Sequence, residues 1–152
     1  MTPDAFYDED FRLLTPEAFE FVLANELKRA MRSQNFLTLL VMETTADHHD
    51  EAADPVRHVA RIISHEVRET DLLTRTDEGV SVVLLDTNLD SGLRVIDRLM
   101  TRVDHYEFPV PVSITVGAAS CPTHGTDAAS LRRAAASQPV VTRRARRRAS
   151  NA

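Results

Sequence analysis

Between residues 15 and 32 the apolar side chains Phe19, Val22, Leu23, Leu27 and Met31 recur at three- and four-residue spacing. That is the period of a helix with one buried face. Thr15 supplies a capping hydroxyl and Pro16 a ring suited to the first helical position, so the helix start is well defined. Residues 36–42 form a nearly unbroken apolar run, which predicts a strand covered on both faces. A polar stretch without period, 43–54, separates it from a second helix that Pro55 opens and that runs to Arg68, with Val56, Val59, Ile62, Ile63 and Val67 inward. Short strands at 71–74 and 80–85 flank Asp77-Glu78-Gly79 and read as a hairpin. A third helix over 89–103 buries Leu93, Ile96, Leu99, Met100 and Val103. A β-rich strand at 112–118 and a short helix at 127–136 follow.

The order is helix, strand, helix, hairpin, helix, strand, helix. It predicts an α/β fold of the α+β kind, a mixed central β-sheet flanked by helices, in one domain spanning 11–137. An acidic N-terminal extension, 1–10, and an arginine-rich tail, 138–152, complete the chain. The tail is expected to be disordered, with no final strand recognisable in it.

Composition narrows the classes. At 152 residues, 43% hydrophobic and 27% charged, the chain can bury a core unaided. A single cysteine, Cys121, permits no intrachain disulfide, which fits a reducing cytoplasm. The acidic start lacks the features of a signal peptide, and no apolar run nears the ~20 residues of a membrane span. The net charge of −5 is uneven, because Arg143, Arg144, Arg146, Arg147 and Arg148 crowd the tail. Of the 18 Lys and Arg residues, all but Lys28 are arginine, the side chain whose planar fork suits guanine and phosphate.

Candidate chemistry is sparse. Asp47-His48-His49-Asp50-Glu51 has metal-ligand residue types without the helical spacing of a zinc pair, and a solvated loop is the better reading. Cys121 reads as a small strand-end residue and His124 as part of a turn. The arginine tail fits either non-specific contact with nucleic acid through phosphate charge or a segment without a site, and the second is preferred.

Several strings, taken in order, carry a resemblance. Ser113-Ile114-Thr115-Val116-Gly117-Ala118-Ala119 precedes Pro122, His124-Gly125-Thr126-Asp127 and Leu131. Upstream stand Arg68-Glu69-Thr70-Asp71, then Leu72 to Thr76, the hairpin turn, Val82-Val83-Leu84-Leu85 and Asp86-Thr87. From about Phe11 to Ala134 the chain resembles the GGDEF family, the diguanylate cyclases that join two GTP molecules into cyclic di-GMP. The resemblance implies the family's palm-like nucleotidyl cyclase fold. The family's RxxD pair stands five residues before the GGDEF turn, and Arg68 and Asp71 keep that spacing.

The departures fall on the catalytic set. Where the family carries Gly-Gly-Asp/Glu-Glu-Phe, this chain reads Asp77-Glu78-Gly79-Val80-Ser81. Negative side chains replace the glycines that let a nucleotide approach, and Val80 replaces a metal-binding acid. The first strand ends in Glu43-Thr44-Thr45-Ala46-Asp47-His48 in place of Asp-x-Asp-x-Phe-Lys, and 51–58 lacks the family's Asn and Asp contacts to guanine. One carboxylate, Glu43, is a poor site for Mg²⁺ beside a triphosphate, and charge neutralisation is central to phosphoryl-type transfer. The resemblance therefore implies no catalytic residue, no metal site and no cofactor.

By the same resemblance the RxxD pair forms a site for cyclic di-GMP as a ligand. Arg68 can fork onto guanine or reach phosphate, Asp71 can accept from the guanine edge, and Arg98 falls where the family places a further arginine. A second RxxD, Arg94 to Asp97, reads as a surface ion pair, and Arg68 with Asp71 admits the same reading. Its place beside the hairpin favours the ligand. The expected function is a cytoplasmic, catalytically inactive GGDEF-like receptor for cyclic di-GMP. The alternatives are a protein-binding or homodimerising module of bacterial signalling and, third, a residual cyclase.

Overall fold

A computed structural model gives the fold and describes residues 13–46, 54–137 and 139–145. Among the described residues the elements are α1 (Pro16–Ser33), β1 (Leu37–Ala46), α2 (Pro55–Glu66), β2 (Leu72–Arg75), β3 (Gly79–Leu85), α3 (Leu89–His105), β4 (Val112–Cys121), α4 (Ala128–Ser137) and β5 (Pro139–Ala145). Thr15 caps α1 as expected, its hydroxyl accepting from the Ala18 N–H. Asn88 caps α3 by accepting from the Ser91 N–H at 2.9 Å.

The strands form one sheet in the order β2-β3-β1-β4-β5. Every strand pairing in it is antiparallel, and a single parallel bridge, Leu14 to Thr74, ties the entry of α1 to β2. Because side chains alternate along a strand, the sheet has two apolar faces. On β1, Leu37 and Leu39 pack under α1 and α4 with Phe19, Leu23, Leu27 and Leu131. Leu40 and Met42 face the opposite way, under α2 and α3 with Val59, Ile63, Ile96 and Leu99. Cover on both faces is why β1 and β3 read as continuous apolar runs.

Three expectations need correction. The sheet is antiparallel and not mixed, because each pair of neighbouring strands runs in opposite directions. Residues 139–145 of the supposed tail are not disordered; they form β5, an edge strand on β4. Their arginines obscure a β-branched pair, Val140 and Val141, and charge is a common feature of edge strands, which must not recruit a second sheet. The N-terminal extension 1–10 and the tail beyond 145 lie outside the described residues. Met31, placed on the inward stripe of α1 by its spacing, is 46% exposed, because Ala30 takes the buried position in that turn.

One close approach sets the position of α3. A Cβ at Gly92 would stand 2.9 Å from the Thr38 Cγ2 atom of β1, so glycine lets the helix sit down on the sheet. Thr38 also anchors the entry of α3, its hydroxyl bonding the Thr87 carbonyl at 2.7 Å and Ser120 Oγ at 2.6 Å.

Candidate functional site

Both ends of the β2–β3 hairpin matter. At the first, α2 stops at Glu66, two residues short of the expected end, and Val67 caps it in an extended conformation. Arg68 and Asp71 therefore lie in a turn, closed by the Asp71 N–H on the Arg68 carbonyl at 3.0 Å. The Asp71 carboxylate accepts from the Arg68 N–H at 2.9 Å, from Arg68 Nε and Nη2 at 3.4 Å each, and from the Leu85 N–H at 3.1 Å. Its side chain is only 2% exposed.

The Asp71 carboxylate, expected to contact guanine, is turned inward. Its oxygens are taken by donors of this chain, and it holds the turn, the end of β3 and the guanidinium together. Arg68 is the exposed partner, at 58% of its side chain. Nη2 also donates to Thr87 Oγ1 at 3.0 Å and to the Leu85 carbonyl. Thr87 Oγ1 in turn donates to the same carbonyl at 2.8 Å. An arginine fixed this way presents its head with little rotamer freedom left to lose, so a ligand would meet it pre-organised.

Beside this turn a cavity of about 340 Å³ opens between the end of β3 and α3. Arg68, Asp71 and Arg98 all line it, so the fold brings the three expected residues to one place. Arg98 is more loosely held, its Nε 3.7 Å from Glu66 Oε2, while Arg102 takes the other oxygen at 2.6 Å. Arg94 was not expected here. It makes no ion pair with a described residue, Asp97 included, and lines the cavity as a third arginine. The signal was present in the sequence: Arg94 and Arg98 stand four apart on one helix, hence on one face.

The far end of the hairpin is chemically opposite. Thr76 and Gly79 close a two-residue turn, with the Thr76 N–H on the Gly79 carbonyl at 2.8 Å and the Gly79 N–H on Thr76 Oγ1 at 3.1 Å. Asp77 and Glu78 at its tip are exposed. Gly79 lies opposite Glu43 of β1, and a Cβ there would stand 1.8 Å from the Met42 carbonyl oxygen. Val80, where the GGDEF pattern has an acid, is fully buried in the core. Among the described residues Glu43 is the one acid at a position where the family pattern places a metal ligand, a poor fit for a pair of divalent cations. Among the described residues no three His, Cys, Asp or Glu side chains are grouped to hold a metal.

Arg75, at the end of β2, forks onto Asp54 at 2.9 and 2.6 Å and so joins the hairpin to the start of α2. The hydrogen-bonding guanidinium holds the Asp54 carboxyl below the usual carboxylate range. Asp54 consequently gives α2 no side-chain cap, despite its position.

The remaining candidates are structural or undescribed. The Ser120 N–H donates to His124 Nδ1 at 2.9 Å, which makes His124 part of the turn after β4. Cys121 is buried, and burial pushes its thiol pKa up, away from reactivity. The His48-His49 stretch lies outside the described residues.

No protein-family model and no curated protein matches the sequence. Solved structures do match. The GGDEF domain of YfiN from Pseudomonas aeruginosa aligns at 22% identity and a TM-score of 0.72, covering 86% of this chain and 84% of that one. The GGDEF domain of DgcB from Caulobacter crescentus, solved with cyclic di-GMP, gives 16% identity and 0.74, over 90% and 89%. The FimX GGDEF domain from P. aeruginosa gives 15% and 0.74, over 87% and 90%. The chain has the GGDEF fold. By the alignment drawn from the sequence, the GGDEF signature would fall at the β2–β3 turn. Here that turn holds Asp77 and Glu78, and the arginine-lined cavity lies at the hairpin's opposite end.

Proposed function

We propose that this domain is a cytoplasmic receptor for cyclic di-GMP and has no cyclase activity. The observation that carries the reading is the cavity where Arg68, Arg94 and Arg98 converge, with Arg68 locked in place by a buried carboxylate. Guanidinium groups suit both halves of such a ligand, forking onto guanine O6 and N7 or onto phosphate oxygens. Asp71 acts as the positioning residue that aims Arg68. The DgcB domain was solved with cyclic di-GMP, so a ligand of this class is compatible with the fold. Gly79 and the buried Val80, which stand at the two acid positions of the motif, support the absence of catalysis, since cyclisation of GTP needs charge neutralised beside the triphosphate.

Calorimetric titration with cyclic di-GMP tests the proposal. Saturable heat is expected, lost in Arg68→Ala; silence up to high micromolar ligand, or an unchanged affinity in that variant, would end it. Formation of cyclic di-GMP from GTP with Mg²⁺ or Mn²⁺ would overturn the second half. A protein-docking role is the second reading, favoured by Phe21, Met31 and Phe36, which stand 69%, 46% and 45% exposed on α1 and its exit. It predicts a complex or homodimer that survives Arg68→Ala and ignores the nucleotide.

A further inference from the structure

A second cavity of about 220 Å³ continues the first along the same helix pair. The helices run antiparallel: residues 66–68 at the end of α2 face the first half of α3, and 61–66 face its last turn. Arg61 and His65 on α2 and Arg102 and His105 on α3 rim the second cavity, with Ile62 and Tyr106 as its apolar lining. Glu66 lines both cavities and separates them.

The two cavities make one basic groove. On α3, Arg94, Arg98, Arg102 and His105 form a single column, and all four are exposed. On α2, Arg61 and His65 form the facing column, also exposed. Across both cavities five arginines meet three carboxylates, Glu66, Asp71 and Asp86, which leaves the lining at +2 with neutral histidines. The whole chain carries −5. Like charges four apart on a helix repel, so fold stability does not favour such a column. The helix dipole favours cations only in the last turn, which accounts for Arg102 and His105 and leaves Arg61 and Arg94 unexplained. His105 Nδ1 bonds the Thr101 carbonyl at 2.8 Å; a carbonyl only accepts, so Nδ1 carries the proton and Nε2 remains for another partner.

We propose that this groove binds single-stranded nucleic acid, with the second cavity as a nucleotide subsite outside the cavity of the cyclic di-GMP reading. Residues 94–105 span about 16 Å along α3, enough for roughly five phosphates of a stacked strand at ~3.4 Å each. Packed helix axes stand only ~8–10 Å apart, so the furrow between their exposed side chains is too narrow to seat a duplex. Guanidinium groups along the backbone path, with an aromatic ring set among them at Tyr106, are the elements single-strand sites use.

The test is fluorescence anisotropy with a labelled oligothymidine and the full chain. Binding at low salt is expected, weakening as salt rises with a log–log slope near −2 to −3, about −0.7 per neutralised phosphate for three or four contacts. Arg61→Ala with Arg102→Ala should weaken it tenfold or more while the heat of the cyclic di-GMP titration stays unchanged. Both are exposed surface positions, and an unaltered far-UV spectrum and urea midpoint would exclude unfolding as the cause. No anisotropy change at low salt would overturn the proposal. So would an affinity unmoved in the double variant. Displacement by polyglutamate as effective as by unlabelled oligothymidine, at equal charge, would replace it with an acidic polypeptide partner.

Discussion

The two ends of one hairpin, about seven residues of strand apart, have taken opposite characters. At the end near α3, a carboxylate is buried and bound by four donors, and the arginine it holds is exposed beside two more. At the turn, Asp77 and Glu78 are exposed carboxylates with no arginine aimed between them, and Gly79 is pressed onto β1. The first end is organised to receive negative charge and the second repels it. The receptor reading proposed above rests on this contrast between the two ends.

The most severe way to probe the contrast is to restore an acid at the turn. Val80→Glu would place a carboxyl among Met42, Val82 and other core side chains, where an unpaired charge costs at least ~3 kcal/mol. Urea unfolding should show a loss of that order without any gain of cyclase activity; a stable, active variant would break the comparison. Next is Asp71→Asn, which turns an amide donor toward backbone N–H groups that need an acceptor. A loss of about 2–3 kcal/mol is expected, and an unfolding midpoint shifted by less than a quarter of that would show that the clamp is slack.

Arg68→Ala sharpens the comparison from the other side. Its stability cost should be about 1 kcal/mol, since the head is exposed, whereas cyclic di-GMP affinity should fall tenfold or more, ~1.4 kcal/mol in binding free energy. Equal effects on both quantities would make Arg68 a structural residue only. The smallest effect belongs to the Arg75–Asp54 fork. The Asp54 pKa is lower in the folded chain than in the unfolded one, so its contribution is present above about pH 4 and is lost as pH falls through the lowered value. With both side chains about one-third or more exposed, the contribution is about 0.5 kcal/mol. Asp54→Asn should remove that part of the acid sensitivity of the urea midpoint, and an unchanged pH profile would remove the fork from the account.

Elements with a strong apolar period were legible from the chain: α1, α2 and α3 begin within a residue of where the spacing placed them, and the hairpin turn falls at Asp77 and Glu78 as read. β5 was not, because an edge strand is covered on one side only and its exposed arginines conceal the alternation. Its Arg143 finds Asp104 of α3, 39 residues away, a pairing that no local pattern announces. In the candidate site, Arg68, Asp71 and Arg98 were named from spacing and resemblance, and the fold places all three on the lining of one cavity. The burial of Asp71 was invisible, since a carboxylate looks the same in sequence whether it faces solvent or the Leu85 N–H.

The sequence by itself determined the periodicities, the caps, the replaced turn motif and the surplus of arginine, all properties of neighbours within about one helical turn. Tertiary structure alone decided which charges face which. Antiparallel packing of α2 on α3, with α3 let down onto β1 by the glycine at position 92 against Thr38, set the basic columns of the two helices across one furrow. Coulomb interactions depend on distance through space and on the solvent excluded around each group, and neither quantity is written along the chain.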